Sequence, residues 1–225
     1  MNLKTLDHVA LWVADRDAIA GFVTRHLGMH VIDRTDAFTL VGSDARRGKL
    51  TLFAAEGPRE RGALEHVALR VTDLRAALAL LPEGLELDQP RPGEAYFDVG
   101  EGLRLGLVER ETDVEYDLDH VSLRAADPEA AIAAWGELGL NPYGDDRVEV
   151  GGAFVEVHPG GPGEEPERPL LNHLAVLVDS ASTAESSGYE VERVVDAANT
   201  FAVFVRGPER VRLEYVEHKP SFSLT

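Results

Sequence analysis

The chain has no cysteine among its 225 residues, so it forms no disulfide bond and offers no thiolate ligand to a metal. It has no apolar run long enough to cross a membrane and no signal-peptide pattern at its N-terminus. Positive charge is scarce, and the net charge of −18 would repel nucleic acid. These absences favour a cytoplasmic protein that binds a small-molecule substrate, without a nucleic-acid or membrane partner. The composition permits a homo-oligomer.

One short phrase recurs at the start of four stretches of the chain. Each copy places a histidine in an otherwise apolar, strand-like segment, at His8, His66, His120 and His173. The copies are roughly 53 to 58 residues apart, which indicates a fourfold internal repeat. Half of the eight histidines therefore occupy one equivalent position. Because histidine is a common metal ligand, this repeat points to a metal site.

Each repeat unit continues in the same order after its histidine. Seven residues later stands a residue suited to cap the start of a helix: Asp15, Asp73, Asp127 and Ser180. Apolar residues then recur at helical spacing, and short alternating segments follow that are typical of strands. The fourth helix is the weakest, because the stretch from 180 to 187 is rich in serine. The pattern predicts an α+β protein.

Four βαβββ-type units predict two pseudo-twofold halves, each built from a curved sheet. Glycine, proline and charge accumulate between the units, at 56–62, 110–117 and 159–166. We expect units one and two to form one half, residues 1–112, and units three and four the other, residues 113–225.

The last strands of the units supply a second type of ligand. At one equivalent position they carry Thr51, Gly106, Glu156 and Glu214, so only units three and four offer a carboxylate. His120 and His173 with both glutamates would form a four-ligand set. Without Glu156, two histidines and one carboxylate remain, a combination that suits non-haem Fe(II) because it leaves positions open for substrate and oxygen.

Three further side chains are candidates for contact with substrate or for proton transfer. Arg124 shares a strand face with His120 and could hold an anionic group, or it could be a solvated strand end. His158 follows Glu156 by two residues and could act as an acid or a substitute ligand, and Glu156 could itself transfer a proton. We interpret His66 as a hydrogen-bonded core histidine.

The repeated unit, with histidine in its first strand and glutamate in its last, resembles the vicinal oxygen chelate superfamily. This superfamily includes glyoxalase I, methylmalonyl-CoA epimerase, bleomycin-binding proteins and type I extradiol dioxygenases. Four units in one chain resemble the dioxygenases, and the segment 207–215 is similar to their closing metal-ligand segment. The resemblance implies an Fe(II) enzyme that cleaves an aromatic diol. It implies His120, His173 and Glu214 as ligands, with the first two units as a non-catalytic half.

The chain also departs from the dioxygenase pattern. Val195 and Asp196 stand where the resemblance implies a histidine, and Phe204 stands where it implies a tyrosine. Glu156 adds a second carboxylate, which resembles the His₂Glu₂ site of glyoxalase-like and epimerase-like enzymes with Ni, Co, Zn or Mn. A metal-free small-molecule-binding protein of the bleomycin-resistance type is the non-enzymatic alternative.

A different pairing of the units also remains open. In some hydroquinone-cleaving relatives, the first and fourth units share the metal. By that resemblance His8 would join His173 and Glu214, with Thr51 in the fourth place. His66, His120 and Glu156 would then form a second cluster. His173 and Glu214 belong to the site under both pairings.

Overall fold

A computed structural model describes residues 1–161 and 166–225, so part of the predicted boundary at 159–166 lies outside the described residues. The strands are β1 (Leu3–Val13), β2 (His30–Arg34), β3 (Phe38–Asp44), β4 (Arg47–Ala54), β5 (Leu64–Val71), β6 (Glu94–Asp98), β7 (Arg104–Glu109), β8 (Leu118–Ala125), β9 (Asn141–Pro142), β10 (Arg147–Val150), β11 (Ala153–Pro159), β12 (Leu171–Val178), β13 (Val191–Asp196), β14 (Thr200–Arg206) and β15 (Arg212–His218). The helices are α1 (Arg16–His26), α2 (Leu74–Leu78), α3 (Pro128–Glu137) and α4 (Ser182–Ser186), with a 3-10 helix at Pro208–Arg210. No helix in the described ranges is long and apolar enough to span a membrane.

The predicted repeat is confirmed, since each unit opens with a strand and a helix. Units one, three and four then add three strands each, while unit two adds only β6 and β7. An isolated bridge between Asp88 and Tyr96 stands where the remaining strand of unit two would lie. The fold is α+β, as the sequence predicts.

The strands form two sheets with the same internal plan. The order is β13-β14-β15-β12-β1-β4-β3-β2 in the eight-stranded sheet and β6-β7-β5-β8-β11-β10-β9 in the seven-stranded sheet. At the centre of each, the opening strands of two units pair in antiparallel fashion, β1 with β12 and β5 with β8. Each opening strand is flanked by the closing strand of its own unit, in parallel. Each sheet therefore has two units related by a pseudo-twofold axis.

The pairing of units differs from the leading prediction. Unit one shares a sheet with unit four, and unit two shares one with unit three. The division into 1–112 and 113–225 is thus wrong as a description of the halves, and the alternative pairing is the one observed. The two linkers that cross between sheets run side by side, with the Glu60 N–H donating to Arg168 O at 2.9 Å and the Leu170 N–H to Glu60 O at 2.7 Å. Because all four opening strands carry the same apolar pattern, that pattern alone cannot select their partners.

Three of the four predicted helix caps are confirmed. Asp15, Asp73 and Asp127 each accept a hydrogen bond from the backbone N–H three residues later, at 2.9 to 3.0 Å. The prediction for Ser180 is wrong, because α4 begins after Ala181 and has no side-chain cap. α4 is 5 residues long, lacks a side-chain cap and buries only Ala184 among its residues.

The alternation of β1 separates the core from the site. Val9, Leu11 and Val13 are fully buried in the hydrophobic core together with Ile19 and Val23 of α1. The intervening residues, which include His8, point to the other face of the sheet. The helices thus cover one face, and the histidine positions are left on the other.

The turn at Gly151, between β10 and β11, packs against β1 of the other sheet and should be intolerant of a side chain. A Cβ there would overlap the carbonyl oxygen of Lys4 in β1, and the φ of +57° disfavours any other residue. Gly151→Ala should lower the free energy of unfolding by about 3 kcal/mol, measured by urea denaturation. Gly84→Ala is the matched control, because its φ is +80° with nothing within 4 Å. It should cost only about 1 kcal/mol, and equal losses would show that Gly151 makes no critical contact.

Candidate metal centre

Two groups of side chains in residues 1–161 and 166–225 could each hold a metal ion. His8, His173 and Glu214 form one, which we name the outer site because units one and four supply it. His66, His120 and Glu156 form the other, named the inner site. In each group the ligand atoms lie within 4.8 Å of one another. Both sites therefore have two imidazole nitrogens and one carboxylate.

The ligand atoms of the outer site are nearly equidistant. His8 Nε2 lies 3.1 Å from His173 Nε2 and 3.2 Å from Glu214 Oε2, and His173 Nε2 lies 2.8 Å from the same oxygen. His173 and Glu214 are buried, and His8 is mostly so. Three ligand atoms thus converge on one point with little access to water.

Strand register explains this convergence. In the antiparallel pair, Ala10 of β1 lies opposite His173, and Ala175 of β12 lies opposite His8. In the parallel pair, Ala175 lies beside Glu214. The three ligand residues therefore occupy neighbouring register positions on adjacent strands, so their side chains meet on one face of the sheet.

The same register confirms the four equivalent closing-strand positions. Ala10 lies beside Thr51 of β4, as Ala175 lies beside Glu214. In the seven-stranded sheet, the matching neighbours are Ala68 with Gly106 and Ser122 with Glu156. The fourth place of the outer site is therefore held by Thr51, and that of the inner site by Gly106.

A buried ionic network orients His8. Its Nδ1 donates to Asp7 Oδ1 at 2.7 Å, which leaves Nε2 facing the outer site. Asp7 also accepts from Lys49 Nζ at 2.9 Å, and both side chains are buried. His218 Nε2 lies 2.9 Å from Asp7 Oδ2, at ion-pair distance but without hydrogen-bond geometry. On the other strand, His173 Nδ1 donates to Asn172 Oδ1 at 2.9 Å. The sequence analysis did not identify Lys49 and His218. The one available signal was the Asp7-His8 dipeptide, which places a carboxylate next to the repeat histidine.

The electrostatics of the outer site reflect these close contacts. Burial disfavours the charged form of His8, but Glu214 and Asp7 outweigh it and raise the pKa of His8 to about 9. Burial likewise disfavours the Glu214 carboxylate, but His8 and His173 outweigh it and lower the pKa of Glu214 to about 2. The pKa of His173 is lowered, chiefly by burial. Without a metal, a positive His8 thus balances an ionised Glu214, and a cation would take the place of the His8 proton.

The inner site is less regular. His66 Nε2 and His120 Nε2 are 2.9 Å apart, but Glu156 Oε2 is 3.7 Å from His120. Glu156 instead has Arg147 at 3.3 Å and His158 at 3.6 Å. Burial, with the charges of His120 and other cations, lowers the pKa of His66 to about 3. The carboxylate is thus neutralised by an arginine rather than directed at the histidines.

An aromatic ring occupies the fourth place of the inner site. The Tyr96 ring packs 4.5 Å from that of His66. A Cβ added to Gly106 would lie 2.5 Å from Tyr96 Cε1, so only glycine leaves room for the tyrosine. The Tyr96 ring therefore fills the space in the inner site that corresponds to the position of Thr51 in the outer site.

The structure separates the residues that the leading prediction combined. His173 and Glu214 lie together as predicted, but His120 belongs to the other sheet, so its placement beside them is wrong. His8, the alternative, stands in that place. The interpretation of His66 as a hydrogen-bonded histidine fits its contact with His120, although His66 also belongs to a cluster.

The other predicted residues also lie in the seven-stranded sheet. Glu156 and His158 are at the inner site. Arg124 donates to Glu65 at 2.7 Å and is half exposed. These residues are away from the outer site because units two and three, not three and four, share a sheet.

Comparison with known proteins identifies the fold. Residues 5–112 match the family model described as the Glyoxalase/Bleomycin resistance protein/Dioxygenase superfamily. The paired units and the whole-chain matches below show the vicinal oxygen chelate fold, so the resemblance noted in the sequence is confirmed. No curated protein matches the sequence.

Three solved structures share the fold over nearly the whole chain. A proposed dioxygenase from Bacillus subtilis subsp. subtilis strain 168 has a TM-score of 0.80 at 20% identity, covering 98% of this chain and 87% of that one. Glyoxalase I from Zea mays has a TM-score of 0.73 at 16% identity, covering 95% and 92%. The cppA protein from Streptococcus pneumoniae TIGR4 has a TM-score of 0.68 at 15% identity, covering 96% and 100%. At these identities the likeness shows the fold alone.

The buried pair beneath His8 should contribute strongly to stability. Lys49→Met should lower the free energy of unfolding by about 3 kcal/mol, because it leaves the Asp7 carboxylate buried without its main partner. Adding Asp7→Asn should restore part of the loss. Urea denaturation of both variants would measure the coupling. Arg34→Met, which breaks the exposed pair with Asp17, should cost at most about 0.5 kcal/mol. A similar small loss for Lys49→Met would show that the buried pair contributes nothing net.

Proposed function

We propose that the chain is an Fe(II)-dependent extradiol-type dioxygenase that acts on an aromatic diol, with its metal held by His8, His173 and Glu214. One observation carries the proposal: two histidines and one glutamate converge, and the fourth equivalent position is Thr51 rather than a carboxylate. This ligand set is typical of non-haem Fe(II) oxygenases, because it leaves coordination positions open.

The distances among the ligand atoms support such a centre. Two ligands about 2.1 Å from a common ion and at right angles are about 3.0 Å apart. The outer-site separations of 2.8, 3.1 and 3.2 Å agree with three ligands on one face of an octahedron. The 3.7 Å between His120 and Glu156 fits less well. When bound, Fe(II) would coordinate the diol oxygens and activate dioxygen.

The walls of the outer site suit a flat ring. The rings of Phe53 and Phe204 lie 6.3 and 5.2 Å from that of His173. Ala10 and Ala175, next to the ligands in the sheet, have small side chains that leave space above the ligand atoms. An aromatic substrate would be held between apolar walls that exclude water.

Proton transfer must use groups other than those implied by the dioxygenase resemblance. Phe204 packs edge-on against His173, and Val195 packs in the same apolar cluster as Phe204. Neither side chain can exchange a proton. We therefore assign this role to His218 and Lys49, the ionisable partners of Asp7 beside the ligand His8. Glu156, His158 and Arg124 are given no part in it, because they lie in the other sheet.

A glyoxalase-like or epimerase-like isomerase is disfavoured at the outer site. Such chemistry combines a Lewis-acid metal with a carboxylate that moves a proton to and from carbon. Thr51 occupies the position that would supply the second carboxylate. Metal analysis distinguishes the dioxygenase from the isomerase.

Protein purified anaerobically without a metal-affinity tag should contain close to one iron per chain, measured by elemental analysis. Glu214→Gln should lower the metal content at least about tenfold, because an amide oxygen replaces the anionic ligand. Glu156→Gln, the same change at the inner site, should retain the metal. The opposite pattern would place the metal at the inner site. Stoichiometric nickel, cobalt, zinc or manganese would favour the isomerase, and no uptake of any metal would favour a binding protein.

Oxygen uptake tests the reaction itself. The iron-loaded protein should consume oxygen in the presence of a catechol or hydroquinone, and ring opening should be visible in the absorption spectrum. His8→Ala should reduce uptake at least about a hundredfold, because it removes a ligand. His120→Ala, which removes the equivalent histidine of the inner site, should retain most of the activity once thermal melting has verified its fold. A loss with His120→Ala alone would contradict the assignment.

A further inference from the structure

A cavity of about 780 Å³ opens at one end of β1, β12 and β15. Trp12, Leu171 and Arg212 contribute to its lining. Leu171 and Arg212 precede the ligands His173 and Glu214 by two residues on the same strand faces, which is about 7 Å along a strand. The cavity is therefore adjacent to the outer site, and its volume is typical of small-molecule sites.

Arginines are prominent in the cavity lining although the protein is strongly acidic. Among the residues that the structure describes, the charged ones in the lining are Arg61, Arg206, Arg210, Arg212, Glu192 and Glu209. Arg61 pairs with Asp98 outside the lining at 2.6 Å, so the positive charge available to an anion comes from the guanidinium groups of Arg206 and Arg212. Positive charge on a concave surface concentrates anions.

Two of these arginines are held in place by one carboxylate. Glu192 accepts from Arg212 Nε at 2.7 Å, and its other oxygen lies 2.5 Å from Arg206 Nη2. One negative charge balances only one of the two guanidinium groups, and both remain close to half exposed. A pre-positioned guanidinium pair of this kind matches the oxygens of a carboxylate or phosphate.

The backbone beside the cavity adopts an uncommon conformation. Glu209 and Arg210 have φ values of +51° and +58°, the left-handed region that residues other than glycine rarely occupy. Glu209 Oε1 accepts from the Ala126 N–H at 3.2 Å, which fixes the segment against unit three. Backbone of this type persists where surrounding contacts hold it, often at binding sites.

Aromatic contacts connect the cavity to the candidate ligand His173. The ring of Trp12 lies 5.3 Å from Phe53, which in turn lies 6.3 Å from His173. A molecule in the cavity would thus extend along an aromatic wall towards the outer site.

We propose that this cavity binds the anionic end of an aromatic substrate, with its carboxylate or phosphate on Arg212 and Arg206 and its flat part against Trp12. Only the identity of the reacting end rests on the proposed dioxygenase function. Anion binding itself needs no metal, so the two proposals can fail separately.

Isothermal titration of the metal-free protein tests the site with matched probes. 3-Phenylpropionate and 2-phenylethyl phosphate should be compared with neutral 3-phenylpropionamide. At least one anion should bind about tenfold more tightly than the amide, because a charge-assisted hydrogen bond contributes about 1.5 kcal/mol or more. The anion that binds more tightly identifies the head group.

Variants then locate the binding. Arg212→Gln and Arg206→Gln should each weaken anion binding about tenfold and leave amide binding unchanged. Arg193→Gln is the control, because Arg193 follows Glu192 in β13 but is exposed and outside the lining. Equal affinity for anions and amide, or an equal loss with Arg193→Gln, would overturn the proposal. Anion binding that persists in a protein that takes up no metal would support it while refuting the dioxygenase.

Discussion

The antiparallel pairing of opening strands is the contact on which the rest of the structure depends. It sets β1 against β12 and β5 against β8, and so brings two repeat histidines within 3.1 Å in one sheet and 2.9 Å in the other. The closing strand of each unit then lies parallel to its opening strand and delivers one side chain to the same point. Both candidate sites follow from this one arrangement, and each needs two units.

The two sites show how the same scaffold can diverge through a few side chains. At the outer site, the glutamate contacts both histidines, and each histidine has a hydrogen-bond acceptor at its other nitrogen. At the inner site, Arg147 pairs with the glutamate and Tyr96 fills the space beside Gly106. A carboxylate neutralised by a fixed guanidinium is a poorer ligand for a cation. The comparison within one chain therefore favours the outer site without reference to any relative.

Sequence patterns predicted most features that depend on residues within one repeat unit, although the cap predicted at Ser180 is absent. The repeat, the caps at Asp15, Asp73 and Asp127, and the equivalence of Thr51 with Glu214 are all local in this sense. The choice of partner strand for β1 is not local, because the four opening strands have the same apolar pattern. Lys49 and His218 escaped notice because their common partner Asp7 is brought to them only by the fold. The arginines of the cavity come from separate segments and carry no motif.

Charge links the cavity to the metal centre. A divalent ion held by one carboxylate would leave the outer site with a net positive charge, since the adjacent Asp7 is already balanced by Lys49. In the cavity beside it, Arg206 and Arg212 share one carboxylate and so retain one positive charge between them, in a protein whose net charge is −18. Both regions would attract anions, one an ionised oxygen of the reacting ring and the other a carboxylate or phosphate. A substrate anionic at both ends would be oriented before any specific contact formed, because its two charges are drawn to two points about 7 Å or more apart. The net negative charge of the protein would meanwhile disfavour anions over the surface as a whole, so that selectivity for this face would follow from the distribution of charge rather than from its total.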